Sequence, residues 1–140
     1  MTHRGRVFTS TFRVHWVDTD AAGVMHFSNY FRYFEACEQE FYHSLGIPPS
    51  ELRQKHNILL PRVEARCEYK APCRFDDQIE VALRVHEVTS KTITLNFELR
   101  RIGDGKLAAE GRVKCIAVNQ EWKVVELPAL LERILRENME

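Results

Sequence analysis

The feature that most limits the fold of this chain is a change of pattern after its only long helical segment. Apolar residues in the range 29–45 recur at intervals of three and four, at Tyr30, Phe34, Cys37, Phe41 and Leu45. This spacing places them on one face of a helix. The opposite face carries the polar residues Arg32, Glu35, Gln39 and His43. The pattern predicts a helix that covers an apolar surface.

Strand patterns with a period of two occupy most of the remaining chain, at residues 7–17, 62–69, 79–86, 92–100 and 107–117. The last four follow one another without a second long helix, and parallel strands would need crossovers of a dozen or more residues. Gly103, Asp104 and Gly105 predict a hairpin turn, and shorter helices are expected at 50–55 and from Pro128. We therefore predict one α+β domain over residues 1–140, with an antiparallel sheet covered by the long helix.

Composition and charge narrow the classes of partner. Twenty basic and twenty acidic residues give a formal net charge of zero, so no global field attracts nucleic acid or an anionic membrane. The N-terminus MTHRGRVFTS lacks the apolar core of a signal peptide, and no apolar run reaches membrane-spanning length. The four cysteines are widely spaced and form no Cys-x-x-Cys, which favours reduced thiols. A soluble, cytoplasmic protein is expected.

An acidic loop separates the first strand from the long helix, with Asp18 and Asp20 as its only long polar side chains before Gly23. Ser28 or Asn29 is placed to cap the first helical turn. The free N–H groups and the positive dipole end of a helix N-terminus stabilise negative charge. Carboxylates next to such a terminus form a candidate site for general-base or nucleophilic chemistry.

Two other interpretations of this loop are open. Loop carboxylates often turn the chain or cap a helix, but Asp20 precedes Ser28 by too many residues to be its cap. Asp18, Asp20 and Gly23 also match the first, third and sixth positions of a calcium-binding EF-hand loop. Ala22 and Asn29 then fall on ligand positions that they cannot fill, and the preceding segment is a strand. We expect no metal site.

Residues 18–30, Asp-Thr-Asp-Ala-Ala-Gly-Val-Met-His-Phe-Ser-Asn-Tyr, followed by Glu35 on the helix, resemble the active-site segment of the 4-hydroxybenzoyl-CoA thioesterase family. That family includes the YbgC-like acyl-CoA thioesterases. A second match is Tyr69-x-x-Pro72-x-x-x-Asp76-Asp77, which resembles the turn before the third strand. The resemblance implies the hotdog fold, a five-stranded antiparallel sheet wrapped around one long helix, with a short C-terminal helix in this chain. It also implies hydrolysis of an acyl-CoA thioester without a cofactor, since coenzyme A belongs to the substrate.

The resemblance assigns roles within the loop. The family's catalytic carboxylate falls on Asp20, which either attacks the thioester or activates water. The backbone N–H that polarises the thioester carbonyl falls on Phe27, and Gly23 allows the turn of the loop. His26 stands one residue before the position where family members often carry His or Tyr. Glu35 is expected to position water or support the site.

Coenzyme A carries phosphates, so a chain without net charge needs a local cationic contact. The family often places basic residues at the start of the fourth strand, where this chain has Thr89, Ser90 and Lys91. Lys91 matches that pattern and the two hydroxyl residues do not. Arg62 and Arg66 are further candidates, although both fit ordinary outward positions of a strand.

Assembly and function are predicted as follows. The two edges of an open sheet must be paired, covered or charged, and the resemblance implies a homodimer or homotetramer with active sites between protomers. The rival function is a non-catalytic hotdog module that binds acyl-CoA or an acyl-carrier ligand. A hotdog dehydratase would need His and a carboxylate in a different motif. Aromatic, short-chain and long-chain acyl groups all remain open.

Overall fold

The elements of the fold are described by a computed structural model that covers residues 6–139. Its strands are β1 (Phe8–Arg13), β2 (Arg62–Tyr69), β3 (Gln78–Val88), β4 (Thr92–Arg101) and β5 (Leu107–Ile116). Its helices are α1 (Tyr30–Ser44), α2 (Pro49–His56) and α3 (Ala129–Glu137), with single 3-10 turns at Trp16–Asp18 and Phe27–Asn29. The part of the N-terminal prediction that concerns residues 1–5 lies outside the described residues.

The five strands form one sheet in the order β1-β3-β4-β5-β2, and every neighbouring pair is antiparallel. The Gly103–Gly105 segment makes the predicted β4–β5 turn, with Gly105 in the left-handed region at φ +70°. β1 and β2 are the two edges. The predicted five-stranded antiparallel sheet is therefore confirmed.

Helix α1 packs on the inner face of this sheet. Its predicted apolar stripe is buried at Tyr30, Phe34, Cys37 and Phe41, and half-buried at Leu45. The Phe34 ring stacks on Phe97 of β4 with centroids 4.8 Å apart. A sheet that encloses one long helix is the hotdog architecture. None of the helices in residues 6–139 has the length and apolar character that crossing a bilayer requires.

Smaller predictions were also met. Helix α2 covers the predicted 50–55 segment, and α3 buries Leu131 and Leu135 while leaving Leu130 46% exposed. All four cysteines are free thiols, three of them buried and Cys67 half-buried. Burial raises the pKa of the Cys37 thiol to about 11, so it stays protonated and is a poor nucleophile.

Two predictions around the acidic loop were wrong. The first strand ends at Arg13, and Trp16, expected on its buried side, lies in a 3-10 turn and is 74% exposed. Asn29 occupies the N-cap position of α1, but the predicted capping hydrogen bond from its side chain is not formed. The ring of His26 accepts from the Ser28 N–H (3.3 Å), whereas the Asn29 amide donates to the Asp18 carbonyl (3.0 Å). The chain turns inward after β1 because Asp18 is buried against α1.

Gly111 on β5 permits the close approach of α1 to the sheet. An ideal Cβ at Gly111 would lie 2.3 Å from Cε2 of Phe34. That distance is far inside van der Waals contact, and the ring is itself held by Phe97. The glycine is thus required by packing, since its φ is not in the left-handed region.

Gly111→Ala should lower the free energy of unfolding by about 1–3 kcal/mol, because the added methyl overpacks the Phe34–Phe97 stack. Urea denaturation measures the change. Gly103→Ala is the matched control, because its Cβ would meet nothing within 4 Å, and its effect should stay within about 0.5 kcal/mol. Equal denaturation midpoints for the two variants would contradict the packing role of Gly111.

Candidate active site

The acidic loop is a hydrogen-bonded turn that presents Asp20 at the surface. The Asp20 N–H donates to the Val24 carbonyl and the Gly23 N–H donates to the Asp20 carbonyl, each at 2.9 Å. The Ala22 N–H donates to Oδ1 of Asp20 at 2.8 Å. Gly23 has φ +80°, a conformation that glycine adopts without strain. Within residues 6–139, Oδ2 of the exposed Asp20 carboxylate accepts no hydrogen bond, so it faces solvent or a substrate.

Asp18 points in the opposite direction and anchors the loop to α1. Its carboxylate is almost fully buried and accepts from Arg32 Nε (3.1 Å), Arg32 Nη2 (2.8 Å) and the Tyr33 hydroxyl (2.6 Å). Burial acts to raise the pKa of Asp18, but the hydrogen bonds from Arg32 and Tyr33 outweigh it and hold the pKa below its ordinary value. The two carboxylates are thus separated into an anchor and a free group.

The turn at the start of α1 offers a free backbone donor. The His26 carbonyl accepts from the Asn29 N–H at 2.9 Å, and the His26 ring lies 2.8 Å from the Ser28 hydroxyl. The Phe27 N–H, between them, donates no hydrogen bond in the described part of the chain. A free N–H at the first turn of a helix can bind a developing oxyanion. His26 itself orders the turn through its ring nitrogen.

Tyr69 of β2 fixes the same turn from the sheet side. Its hydroxyl donates to the Phe27 carbonyl at 2.8 Å, and its ring contacts Tyr30 edge-on at 5.0 Å. Burial raises the pKa of Tyr69 to about 12, so the phenol stays protonated and remains a donor. The sequence placed Tyr69 in a turn motif but carried no sign of this contact, which joins residues 42 positions apart.

Aromatic side chains flank the loop on both sides. Trp16 packs edge-on against Phe75 with centroids 5.2 Å apart, and Phe27 packs edge-on against Tyr69 at 6.4 Å. Trp16, Phe27 and Phe75 are all highly exposed. Exposed aromatic rings in this loop and in the segments that it contacts indicate a surface that is covered by a ligand or a partner.

The candidates Glu35 of α1 and Arg62 of β2 lie in a separate cluster. The Arg62 guanidinium donates to both carboxylate oxygens of Glu38, contacts the Cys115 thiol, and lies 3.4 Å from Glu35. Burial raises the pKa of Glu38 against the attraction of Arg62. Arg62 fits no outward position, because a β-bulge between Arg62 and Glu64 turns it toward the helix. Its donors are engaged by carboxylates within the chain.

The proposed phosphate contacts Thr89, Ser90 and Lys91 form the turn between β3 and β4. Thr89 organises that turn by accepting from the Thr92 N–H at 2.9 Å. The acidic loop adjoins the other end of β3, where the Val14 N–H donates to the Asp77 carbonyl. The eleven residues of β3 separate the two regions by about 30 Å. One chain therefore does not bring Lys91 and Asp20 together.

The residues that sequence reasoning missed are the supports of the loop. Arg32 and Tyr33 hold Asp18, and Tyr69 holds Phe27. A helical arginine 14 positions after a loop aspartate carries no local signal of pairing. No group of three or more His, Cys, Asp or Glu side chains in residues 6–139 is arranged to hold a metal ion.

The hotdog sheet, with an exposed carboxylate in the loop before its long helix, is the arrangement expected of a thioesterase, and comparisons with known proteins show that class. The family model of the thioesterase-like superfamily matches residues 14–135. The acyl-CoA thioesterase YbgC of Haemophilus influenzae is 27% identical over 80% of this chain and 81% of its own length. The 4-hydroxybenzoyl-CoA thioesterase of Pseudomonas sp. is 24% identical over 89% and 94%.

A solved structure gives the same result. The gentisyl-coenzyme A thioesterase BH1999 superposes with a TM-score of 0.80 at 32% identity, covering 88% of this chain and 98% of that one. The protein belongs to the thioesterase-like superfamily, and the predicted resemblance and hotdog fold are confirmed.

Asp18→Asn should lower the free energy of unfolding at pH 7 by about 1–3 kcal/mol, because it weakens buried hydrogen bonds to Arg32 and Tyr33. The pKa of Asp18 is depressed in the folded protein, so its contribution is present above the unfolded pKa of about 4 and is lost as the pH falls through the folded pKa. Urea denaturation between pH 7 and 2.5 should give a shallower acid slope for the variant. Asp76→Asn is the control and should change neither the free energy of unfolding at pH 7 nor its decrease toward acid pH. If Asp18→Asn and wild type lose stability equally between pH 7 and 2.5, the stabilising role of Asp18 is ruled out.

Proposed function

We propose that the protein hydrolyses acyl-CoA thioesters, with Asp20 as the reactive carboxylate and the Phe27 N–H as the oxyanion donor. The observation that carries the proposal is the unpaired carboxylate oxygen of Asp20 in the same short loop as an unpaired backbone donor. Membership of the thioesterase-like superfamily supports it, as do relatives named for acyl-CoA, 4-hydroxybenzoyl-CoA and gentisyl-coenzyme A substrates.

The chemistry requires two groups. Attack on the thioester carbonyl moves negative charge onto its oxygen, and a fixed N–H donor stabilises that charge. Asp20 either attacks the carbonyl carbon to form an anhydride that water then cleaves, or removes a proton from the attacking water. Both routes yield a carboxylic acid and free coenzyme A. Both need an accessible carboxylate, which the exposed position of Asp20 provides.

An aromatic acyl group fits the loop surroundings. Two pairs of contacting, exposed rings, Trp16 with Phe75 and Phe27 with Tyr69, lie in the loop of Asp20 or contact it. Planar rings pack favourably against such surfaces in offset or edge-on contacts. Two of the three relatives described above are named for aromatic acyl groups.

The site is proposed to be shared between two copies of the chain. β2 is an edge strand, and its residues Val63, at the bulge, and Ala65, on the inner face opposite Val113, are both exposed. Pairing of two β2 edges would complete the sheet and cover these residues. Since Lys91 lies about 30 Å from the acidic loop of its own chain, it reaches a coenzyme A phosphate only at the loop of another copy.

Asp20→Asn should reduce kcat by at least about 100-fold against a panel of 4-hydroxybenzoyl-, butyryl- and palmitoyl-CoA, because neither route proceeds without the carboxylate. Release of free thiol gives the rate, and the aromatic thioester should have the highest kcat/KM. Single-turnover hydrolysis in H₂¹⁸O tests the anhydride route, since attack of water on the aspartyl carbon of the anhydride places ¹⁸O in Asp20, whereas the general-base route never labels it.

Asp76→Asn is the matched control, an exposed aspartate near the same sheet end whose φ of +72° suits asparagine. Its rate should equal that of wild type. Equal rates for Asp20→Asn and wild type would refute the mechanism, and binding of acyl-CoA without hydrolysis by wild type would establish the binding-module alternative.

Phe27→Pro should lower kcat by about 10²–10³-fold, because proline removes the N–H that polarises the carbonyl. The backbone accepts proline here: Phe27 is the first residue of a helical turn, and His26 has φ −64° and ψ 140°. Phe27→Ala retains the N–H and removes only the ring, so its kcat should stay within a few-fold of wild type. The hypothesis fails if the two substitutions reduce kcat equally.

A further inference from the structure

We propose that the ring of Trp122 is a stacking platform for the adenine ring of coenzyme A, next to the proposed phosphate contact Lys91. The inference rests on the proposed acyl-CoA substrate and extends it to the nucleotide end of that molecule. Trp122 lies in the turn between β5 and α3 and is 67% exposed. Within residues 6–139 its ring contacts no other aromatic ring, and its indole N–H donates no hydrogen bond.

The backbone at Trp122 adopts a conformation that suits glycine or asparagine. Its φ of +62° lies in the left-handed region, which is unfavourable for a residue with a large side chain. An exposed tryptophan in this conformation stabilises the isolated chain neither by packing nor by its backbone geometry. Residues strained in this way concentrate at ligand sites, so the conformation points to a role in binding.

Hydrogen bonds hold the turn in this conformation. Oδ1 of Asn119 accepts from the Lys123 N–H at 3.0 Å, and the Asn119 carbonyl accepts from the Trp122 N–H at 2.9 Å. The Gln120 N–H donates to Oδ1 of Asn57 at 3.2 Å, which joins the turn to the segment after α2. The indole is thus carried by a fixed backbone, and a preorganised surface loses little entropy when a ligand binds.

Lys91 lies at the base of the hairpin that carries the indole. The Lys91 carbonyl accepts from the Ala117 N–H at 2.8 Å, and the Ser90 carbonyl accepts from the Leu127 N–H at 2.7 Å. Ala117 and Leu127 are the residues from which the chain extends into the turn of Trp122 and returns from it. The turn begins two residues, about 7 Å, beyond this base. One ligand can therefore contact both side chains.

A flat apolar ring near free ammonium groups matches an adenine nucleotide. The ammonium groups of Lys91 and Lys123 form no ion pair in the described residues, and both side chains are exposed. Any base can stack on an aromatic side chain, and lysine binds phosphate as a point charge. Coenzyme A carries adenine and several phosphates at one end. Glu121 and Glu126 are exposed near the same turn, so a phosphate without the stacked base is bound less favourably.

The position of Trp122 agrees with a site shared between copies of the chain. Lys91 lies about 30 Å from the acidic loop of its own chain, and Trp122 lies at the same end of the sheet as Lys91. The indole would therefore stack on the adenine of a substrate whose thioester lies at the loop of another copy.

Fluorescence titration with coenzyme A tests the contact without hydrolysis. In a Trp16→Phe background Trp122 is the only tryptophan, and stacking of adenine should quench its emission. Adenosine 3′,5′-bisphosphate should also quench it, whereas 4′-phosphopantetheine, which lacks adenine, should not. In calorimetry, Trp122→Ala should weaken coenzyme A binding by about 5–100-fold, the effect of losing one base–aromatic stack. Trp122→Phe should restore most of the affinity.

Kinetics and stability separate binding from a structural role. For Trp122→Ala, kcat/KM for 4-hydroxybenzoyl-CoA should fall by the same factor, and kcat/KM for 4-hydroxybenzoyl-pantetheine should not change. Trp122→Gly should lose affinity but raise the urea midpoint, because glycine adopts the left-handed conformation without strain. Leu130→Ala removes another exposed apolar side chain and is the matched control, which should bind coenzyme A with wild-type affinity.

The proposal is overturned if Trp122→Ala binds coenzyme A as tightly as wild type, or if 4′-phosphopantetheine quenches Trp122 as strongly as coenzyme A does. Tighter binding of ATP than of coenzyme A would assign the platform to free nucleotides and would also overturn it. Quenching by coenzyme A without hydrolysis of any thioester would support this inference and refute the proposed activity. Hydrolysis with an unchanged kcat/KM in Trp122→Ala would support the activity and overturn the inference.

Discussion

The buried ion pair between Asp18 and Arg32, completed by the Tyr33 hydroxyl, is the interaction on which the candidate site depends. A carboxylate can be buried only when it is paired and hydrogen-bonded, so the chain must bend inward after β1 to bring Asp18 to α1. That bend ends the strand, exposes Trp16 and turns Asp20 outward. The Asp18 carbonyl also accepts from the His26 N–H at 2.9 Å, which joins both ends of the loop. The outward position of Asp20 thus depends on the burial of its neighbour Asp18.

The architecture could be predicted from the sequence because it depends on periodicity. The strands from β2 to β5 and helix α1 alternate or repeat clearly, and the absence of a second long helix decided the antiparallel topology. The predicted bounds of the elements were accurate wherever the apolar residues of the pattern are buried in the core. They failed at Trp16, where an apolar residue fits the pattern but leaves the core. The apolar pattern does not show that Asp18 must pair with Arg32 and Tyr33 to be buried, and this pairing ends the strand before Trp16.

The site could be predicted only in part, since its supports are long-range side-chain contacts. Asp20, Gly23 and Phe27 occupy one contiguous segment, so a motif could identify them. The pairings of Tyr69 with Phe27 and of Arg62 with Glu38 depend on sheet register and on a bulge, and neither leaves a local signal. The distance between Lys91 and the loop follows from strand length and order. It becomes visible only when the fold is assembled.

The bulge in β2 changes which face of the sheet its side chains point to. Val63 is the additional residue, so side chains before it and after it follow opposite parities. Arg62 therefore lies on the α1 side of the sheet, where it pairs with Glu38, while Arg66 lies on the outer surface. One inserted position gives two arginines of the same strand unrelated tasks. Changes on the outer surface can accumulate without disturbing the charge balance of the core.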